Sequence, residues 1–319
     1  MPINKPLKIA VSGSLAYDSI MDFPGRFADH ILPEAIHSLN LSFTLRGLKT
    51  SFGGTAGNIA YNLSLLQEKP TILGVVGSDF APYRDWLIRN KIDVSRLGIE
   101  AKSKTAAANI ITDRQDNQIT GFYPGPLLPG YTSGANQLTG LSLAIISPEH
   151  KSRMLDYARI YRRRRIPFIF DPGQMVPAFS PSELRQAIKG AKVLIGNDYE
   201  IKLIVDKLKI KLPALLKMTE LVVITKGEKG SEIYNGLEKI KIKPAKPRNA
   251  SDPTGAGDAY RAGLIKGLVK GYNLKTCGQL AGLVAVYTVE KYGTQTHRFN
   301  LKELAKRYQA NFKEKLEIV

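Results

Sequence analysis

Short apolar runs recur along this chain of 319 residues, and stretches of helical pattern separate them. Residues 71–76, 141–146, 166–170, 193–195 and 221–224 are apolar without alternation. Strands buried on both faces read that way. Helical periodicity fills residues 56–67, 82–90, 151–165, 181–189 and 199–207. Strand–helix alternation calls for a mostly parallel sheet with helices on both sides. Residues 8–12 add a first strand and 239–243 a late antiparallel edge strand. Helices at about 259–270, 274–291 and 301–313 close the chain.

Three segments break this rhythm. Leu39, Leu41, Phe43 and Leu45 alternate with Asn40, Ser42 and Thr44, the pattern of a half-buried strand over 39–45. Residues 105–112 and 118–123 also read as strands, joined as a hairpin by the polar turn Asp113–Asn117. These three form a small separate sheet.

The stretch 252–263, Asp-Pro-Thr-Gly-Ala-Gly-Asp-Ala-Tyr-Arg-Ala-Gly, is a tight loop opening into a helix. Asp252, Pro253 and Gly255 forbid helix before it, and Tyr260, Leu264 and Leu268 share one helical face after it. Backbone N–H groups converge on one point there, and the helix N-terminus adds partial positive charge. That suits a phosphate. Asp258 beside such a site has two readings: a base that takes a proton from an attacking hydroxyl, or a helix cap.

This loop resembles the C-terminal signature of the ribokinase (PfkB) family of sugar and nucleoside kinases. A double glycine followed by Asn, here Gly53-Gly54-Thr55-Ala56-Gly57-Asn58, resembles a second signature of that family. Asn197-Asp198-Tyr199-Glu200 resembles a third, and order and spacing fit over nearly the whole chain. Within the family, residues 13–18, 117–120 and 170–173 look most like adenosine and nucleoside kinases of bacteria and archaea. The resemblance implies one ribokinase-like domain over 1–319, a three-layer α/β/α sandwich. It also implies that the small sheet is a lid over the sugar, inserted at about 14–50 and 105–123.

Roles follow from the same resemblance. Asp258 would be the base, and the backbone of Gly255, Ala256, Gly257 and Asp258 would hold the charge on the moving phosphoryl group. Asn197, Thr225, Gly227 and Gly257 would line ATP, and Glu200 would organise Mg²⁺ through water. A first-turn acid that stabilises its own helix is the other reading of Glu200. A monovalent cation, K⁺, beside Asp252 and Thr254 is common in the family. Asp18 can bind two vicinal ribose hydroxyls with its two oxygens. Gly54 and Asn58 would join it at the sugar. Phe43, Asn109, Gln118 and Phe122 would contact the base or pack the lid.

The residues themselves support a common edge for these groups. Asp171, Asn197 and Thr225 each follow an apolar run, and in a parallel sheet the ligand lies outside the strands' carboxyl ends. The reading is an ATP-dependent kinase for the 5′-hydroxyl of a ribonucleoside, adenosine first. A sugar or sugar-phosphate kinase of the same family is the alternative, for which lid cations such as Arg46 and Lys49 would matter. An idle nucleic-acid-associated or regulatory protein on the same fold is the alternative of another class.

Charge supports that last alternative only in part. The chain carries 46 basic and 28 acidic residues, formally +18, which attracts polyanions. Arg162–Arg165 ends a helix, where cations suit the dipole, and no aromatic stacking platform accompanies it. No Walker loop is present, and Tyr260 stands where a dinucleotide fingerprint needs its third glycine. His30, His37, His150 and His297 suggest no metal cluster. No apolar run approaches a membrane span, residues 1–6 lack a signal-peptide core, and Cys277 alone permits no internal disulfide. A cytoplasmic monomer or homodimer is expected, with the nucleoside and ATP as its partners.

Overall fold

The computed structural model describes residues 8–31, 37, 40–115, 117–127, 131, 134–236 and 238–317. Residues 1–6, Leu39 and Asp116, used in the sequence reading, lie outside them. In chain order the elements begin with β1 (Ile9–Ser12), β2 (Ala16–Asp22) and β3 (Gly47–Gly53). Next come α1 (Thr55–Leu65), β4 (Pro70–Gly77), α2 (Ala81–Arg89) and β5 (Leu97–Glu100). The hairpin of β6 (Ala106–Thr112) and β7 (Gln118–Tyr123) follows. Then the chain alternates through β8 (Leu143–Ile146), α3 (Lys151–Arg163), β9 (Phe168–Phe170), α4 (Pro181–Ile188), β10 (Val193–Asn197) and α5 (Asp198–Leu208). The short α6 (Leu212–Leu216) leads to β11 (Leu221–Thr225), β12 (Ser231–Asn235) and β13 (Glu238–Ile242). Helices α7 (Ala256–Val269), α8 (Leu274–Val289) and α9 (Leu301–Phe312) complete the fold.

The main sheet runs β13-β12-β11-β10-β9-β8-β1-β4-β5, and only β12 and β13 are antiparallel to their neighbours. Alternate residues feed two cores. Ile9 and Val11 enter the layer of α1, α2, α7, α8 and α9, while Ala10 between them enters the layer of α3–α6. This is the expected three-layer sandwich. After β1 the chain builds the sheet outward through β4 and β5, then returns and builds the other way from β8. The reversal opens a crevice between the carboxyl ends of β1 and β8, where open α/β sheets take their ligands.

A second sheet, β3-β2-β6-β7, stands beside that crevice. The expected hairpin is present in register, with Ala108 opposite Phe122. The strand expected over 39–45 is not. Residues 40–45 belong to no strand, and the strand that joins the sheet is β3, further along. Alternating burial survives in 41–45, because Phe43 packs with Phe23, Phe27 and His30 at ring separations of 4.6, 5.3 and 5.9 Å. The alternation marks a hydrophobic cluster, and hydrogen bonding goes to β3 instead. The same cluster makes Phe43 lid packing, beyond the end of β2 that is remote from Asp18.

The arginine block also has a structural use. Arg162 Nη1 donates to the carbonyls of Gln186 and Lys189 at 2.6 and 2.9 Å, closing the end of α4. Arg164 donates to the carbonyls of Ala135 and Leu138 at 2.7 and 2.6 Å. Cys277 is fully buried inside α8.

One buried ion pair ties α7 to the chain beyond α1. Lys266 Nζ lies 2.6 Å from Glu68 Oε1, with side-chain exposures of 2% and 9%. Lys266→Met strands the carboxylate and should destabilise the protein by about 3–5 kcal/mol in urea unfolding. Adding Glu68→Leu removes the stranded charge and should restore most of that loss.

Candidate active site

Helix α7 begins at a turn that only glycine can make. Gly255 has φ +77°, and a Cβ there would stand 2.9 Å from Thr294 Cγ2. Helix geometry leaves the first N–H groups, including those of Gly257 and Asp258, without intrahelical acceptors at the positive end of the dipole. Upstream, Asp252 Oδ1 accepts the Thr254 N–H at 2.9 Å and Oδ2 accepts the Gly293 N–H at 3.0 Å. Burial pushes this carboxyl up, but those bonds and nearby Lys49 hold it below its ordinary value. Asp252 thus staples the glycine turn to the segment after α8. Each of its oxygens serves one backbone donor.

Asp258 does not cap its helix. The cap position is Gly255, with no side-chain cap bond. Asp258 instead accepts a hydrogen bond on Oδ2 from Asn58 Nδ2 at 2.8 Å. Removal from water pushes its carboxyl up to about 6. Arg261 and the Asn58 bond oppose that rise, and Asp171 and Asp18 add to it. Arg261 lies one turn further along α7, buried, and grips both oxygens of Asp171 beyond β9. It also donates to the Gly257 carbonyl at 2.9 Å, so the turn is fastened to the carboxyl edge of the sheet. Nothing in the sequence pattern singled out Arg261, although it stands inside the signature stretch.

Asp18 lies on β2 on the lid face turned to this helix. Burial pushes its carboxyl up to about 6 as well. A Cβ on Gly53 would fall 2.0 Å from Asp18 Oδ2, and one on Gly54 would fall 2.5 Å from the Ser14 carbonyl. The double glycine therefore lets β3 pass Asp18 and the turn after β1. The opposite lid face, through Tyr17 and Phe52, packs on Tyr83 of α2 at ring separations of 6.0 and 4.5 Å.

Register sorts the remaining lid residues. Asp18 pairs with Ala108, and Ala108 with Phe122, so all three share the inner face. Asn109 pairs with Ser19 and points to the other face. A contact from Asn109 to anything beside Asp18 is therefore not supported. Gln118 has the right face but the wrong level. It pairs with Thr112 beside Asp22, about 13 Å along the sheet from Asp18 at ~3.3 Å per residue.

The crevice below Phe122 has a volume of about 90 Å³ and is floored by Glu149, His150 and Arg153. Glu149 and Arg153 form a buried ion pair, yet Glu149 Oε1, Arg153 Nη1 and His150 Nε2 have no hydrogen-bond partner. Sequence reading missed these three, since buried charge one helical turn apart resembles an ordinary surface pair. At the other side of α7, Asn197 and Thr225 are direct neighbours at the ends of β10 and β11. Asn197 Oδ1 accepts the Glu200 N–H and Glu200 Oε2 accepts the Asn197 N–H, both at 2.8 Å, a reciprocal cap of α5. Gly227 follows with φ +55° and open space around it.

Positive backbone charge beside a proton acceptor is what phosphoryl transfer to an alcohol requires. The class is a phosphotransferase acting on an alcohol group. The pfkB family of carbohydrate kinases matches residues 14–299, and the chain belongs to that family. It is similar to the nucleoside kinase of Methanothermobacter thermautotrophicus, 35% identical over 281 residues that cover 86% of this chain and 89% of that protein. It also resembles Burkholderia thailandensis nucleoside kinase in complex with inosine, with a TM-score of 0.86 and 34% identity over 96% of this chain and 99% of that one. The same kinase in complex with ADP-inosine matches with a TM-score of 0.84 and 35% identity, covering 97% of each chain.

Asp258→Asn removes the acceptor and keeps the shape, and should lower kcat about 10²–10⁴-fold with the fold intact by circular dichroism. Wild-type kcat/KM should fall as pH drops through about 6, where Asp258 takes up its proton. Stability moves the other way. The stabilising contribution of the raised Asp258 and Asp18 carboxyls is full below their unfolded value of about 4 and is lost as pH rises through about 6.

Proposed function

We propose that this chain is an ATP-dependent kinase that phosphorylates the 5′-hydroxyl of a purine ribonucleoside, adenosine first. The observation that carries this reading is the crevice itself. It has an aromatic and polar lining at Phe122, Glu149 and Arg153, Asp18 shares the sheet face of Phe122, and the charge of Asp18 is felt at Asp258. A base fits that lining by stacking under Phe122 and pairing its edge below. The unpaired Glu149 Oε1 accepts an N–H, and the unpaired Arg153 Nη1 donates one. That pair complements the amino group and N1 of adenine. Turned over, it complements N1–H and O6 of hypoxanthine. Two nucleoside kinases among the relatives support the nucleoside class.

The ribose would sit between Asp18 and Asp258. Asp18 accepts from the vicinal hydroxyls, and the backbone passing Gly54 bounds the sugar. Asn58 has one further Nδ2 proton to offer it. The 5′-hydroxyl then points at Asp258, which accepts its proton as oxygen attacks the terminal phosphoryl group. Gly257 and Asp258 present free backbone N–H groups to the charge in transfer, while the Ala256 N–H, expected to join Gly255 there, is donated to the Pro253 carbonyl at 3.1 Å. Asn197, Thr225 and Gly227 bound the ATP side at the adjoining strand ends.

Among the described residues no group of three or more His, Cys, Asp or Glu side chains is set to hold a metal alone. Mg²⁺ keeps most of its waters, so Glu200, whose Oε1 is not used in the cap of α5, fits it through water. When bound, Mg²⁺ offsets phosphate charge. A sugar-phosphate acceptor would draw on Lys49, whose Nζ lies 5.2 Å from the Tyr292 ring centroid and whose charge is felt at Asp252.

Initial rates at fixed ATP and Mg²⁺ test this. Adenosine and inosine should exceed ribose, fructose and fructose 6-phosphate in kcat/KM by at least ~10-fold, about 1.4 kcal/mol. A free sugar or sugar phosphate that wins would end the nucleoside reading and leave the kinase class standing. Asp18→Ala should raise KM for the nucleoside with the KM for ATP nearly unchanged. A 2′-deoxyribonucleoside should be a much poorer substrate than its ribo form, since the half-buried Asp18 carboxylate loses a partner.

A further inference from the structure

Behind Asp258 runs a chain of hydrogen bonds that reaches the outer surface of α2. Asn58 donates to Asp258, and Asn58 Oδ1 accepts from Gln295 Nε2 at 3.0 Å. Gln295 Nε2 also meets the Tyr83 hydroxyl at 2.7 Å, and Gln295 Oε1 accepts from Trp86 Nε1 at 2.9 Å. Asn58, Tyr83 and Gln295 are all buried.

The direction of this chain is determined twice over. An indole N–H can only donate, so the Gln295 atom facing Trp86 must be its oxygen. Independently, Tyr83 donates its proton to the Gly53 carbonyl at 2.8 Å, which leaves the phenol oxygen as an acceptor. The Gln295 atom facing Tyr83 must then be its nitrogen. Both locks give the same orientation. Asn58 must turn its oxygen to Gln295 and its N–H group to Asp258. A single reversed amide would put a carbonyl oxygen against the carboxylate.

We propose that Gln295 is a positioning residue for phosphoryl transfer: held by Trp86 and Tyr83, it orients Asn58 so that an N–H meets Asp258 Oδ2 and leaves Oδ1 for the substrate proton. This rests on the reading of Asp258 as the base. Gln295 touches no reacting atom. It acts through Asn58 by fixing which acceptor oxygen remains and by favouring the ionised carboxylate. Other charged or titratable groups facing Asp258 are Asp18 on β2, Asp171 beyond β9, Tyr83 on α2 and Arg261 on α7 itself. Of these only Tyr83 touches Gln295, and exchanging Gln295 leaves its bond to the Gly53 carbonyl in place.

The test is the pH profile of kcat with adenosine and ATP for Gln295→Glu and Gln295→Met. In Gln295→Glu the introduced carboxylate would present only acceptors to its neighbours, so Asn58 would turn its N–H outward and its oxygen to Asp258. The acid limb should then move up by about one pH unit or more, a tenfold change in proton affinity. At pH 5, on the acid limb, kcat should fall about tenfold, and at pH 7 about twofold, with KM for both substrates within ~3-fold of wild type. Gln295→Met removes the orientation without reversing it and should give a smaller shift in the same direction. The paired change Tyr83→Phe with Trp86→Phe releases both locks, keeps the aromatic packing, and should behave like Gln295→Met if either single variant folds poorly. Acid limbs at the wild-type position, with any loss confined to Tm, would overturn the proposal. An Asp258→Asn enzyme at near wild-type rate would instead remove the base, and the positioning role with it.

Discussion

A carboxylate taken out of water must find its support in the protein, and the site is arranged around that requirement at Asp258. Desolvation alone drives its proton affinity up. Asn58 and Arg261 limit the rise, and Asp18 and Asp171 sustain it. The result is a group near the middle of the range in which a base is both ionised and able to hold a proton. Arg261 is itself occupied by Asp171, so its charge is felt at Asp258 without a direct bond. The glycine turn, the end of β9 and the lid strand β2 therefore cannot be considered separately, because each fixes one contribution to a single ionisation.

The same economy governs the glycines. Gly255 makes a left-handed turn under Thr294, while Gly53 leaves room for a carboxylate and Gly54 for a carbonyl. The two glycine signatures, about two hundred residues apart in the chain, meet through Asn58 and Asp258. The hydrogen bond between them ties the glycine turn before α7 to α1.

Much of this was legible in the sequence, for reasons specific to each element. Both-face burial gave unbroken apolar runs, and so the parallel strands stood out. The loop before α7 stood out because glycine and proline exclude the alternatives. Asn197 and Glu200 were visible as a pair spaced three apart, and their mutual cap explains that spacing even without a nucleotide. The lid was harder. Its strand β3 is largely exposed along Gly47–Thr50, so it has no hydrophobic period, whereas 41–45, which belongs to no strand, has one because Phe43 joins an aromatic cluster. Asn109 was misplaced because strand parity depends on register, which no single strand reveals. Gln295 could not be found at all. Its importance comes from three partners far away in the chain, and an isolated glutamine carries no local signature.

The lid hairpin is braced by one side chain. Asp113 accepts from the backbone of Phe27, Gln115 and Asn117 and from the Asn117 amide. Burial pushes its carboxyl up, but these bonds prevail and hold it down at about 2. The outer end of the small sheet is thus stiff. Its connections to the main sheet are four straps, at 13–15, at 54, at 101–105 and following Tyr123, and three of these contain a glycine with positive φ, Gly13, Gly54 and Gly125. Asp18 and Phe122 stand on one face of that sheet, so whatever displaces the sheet carries both together.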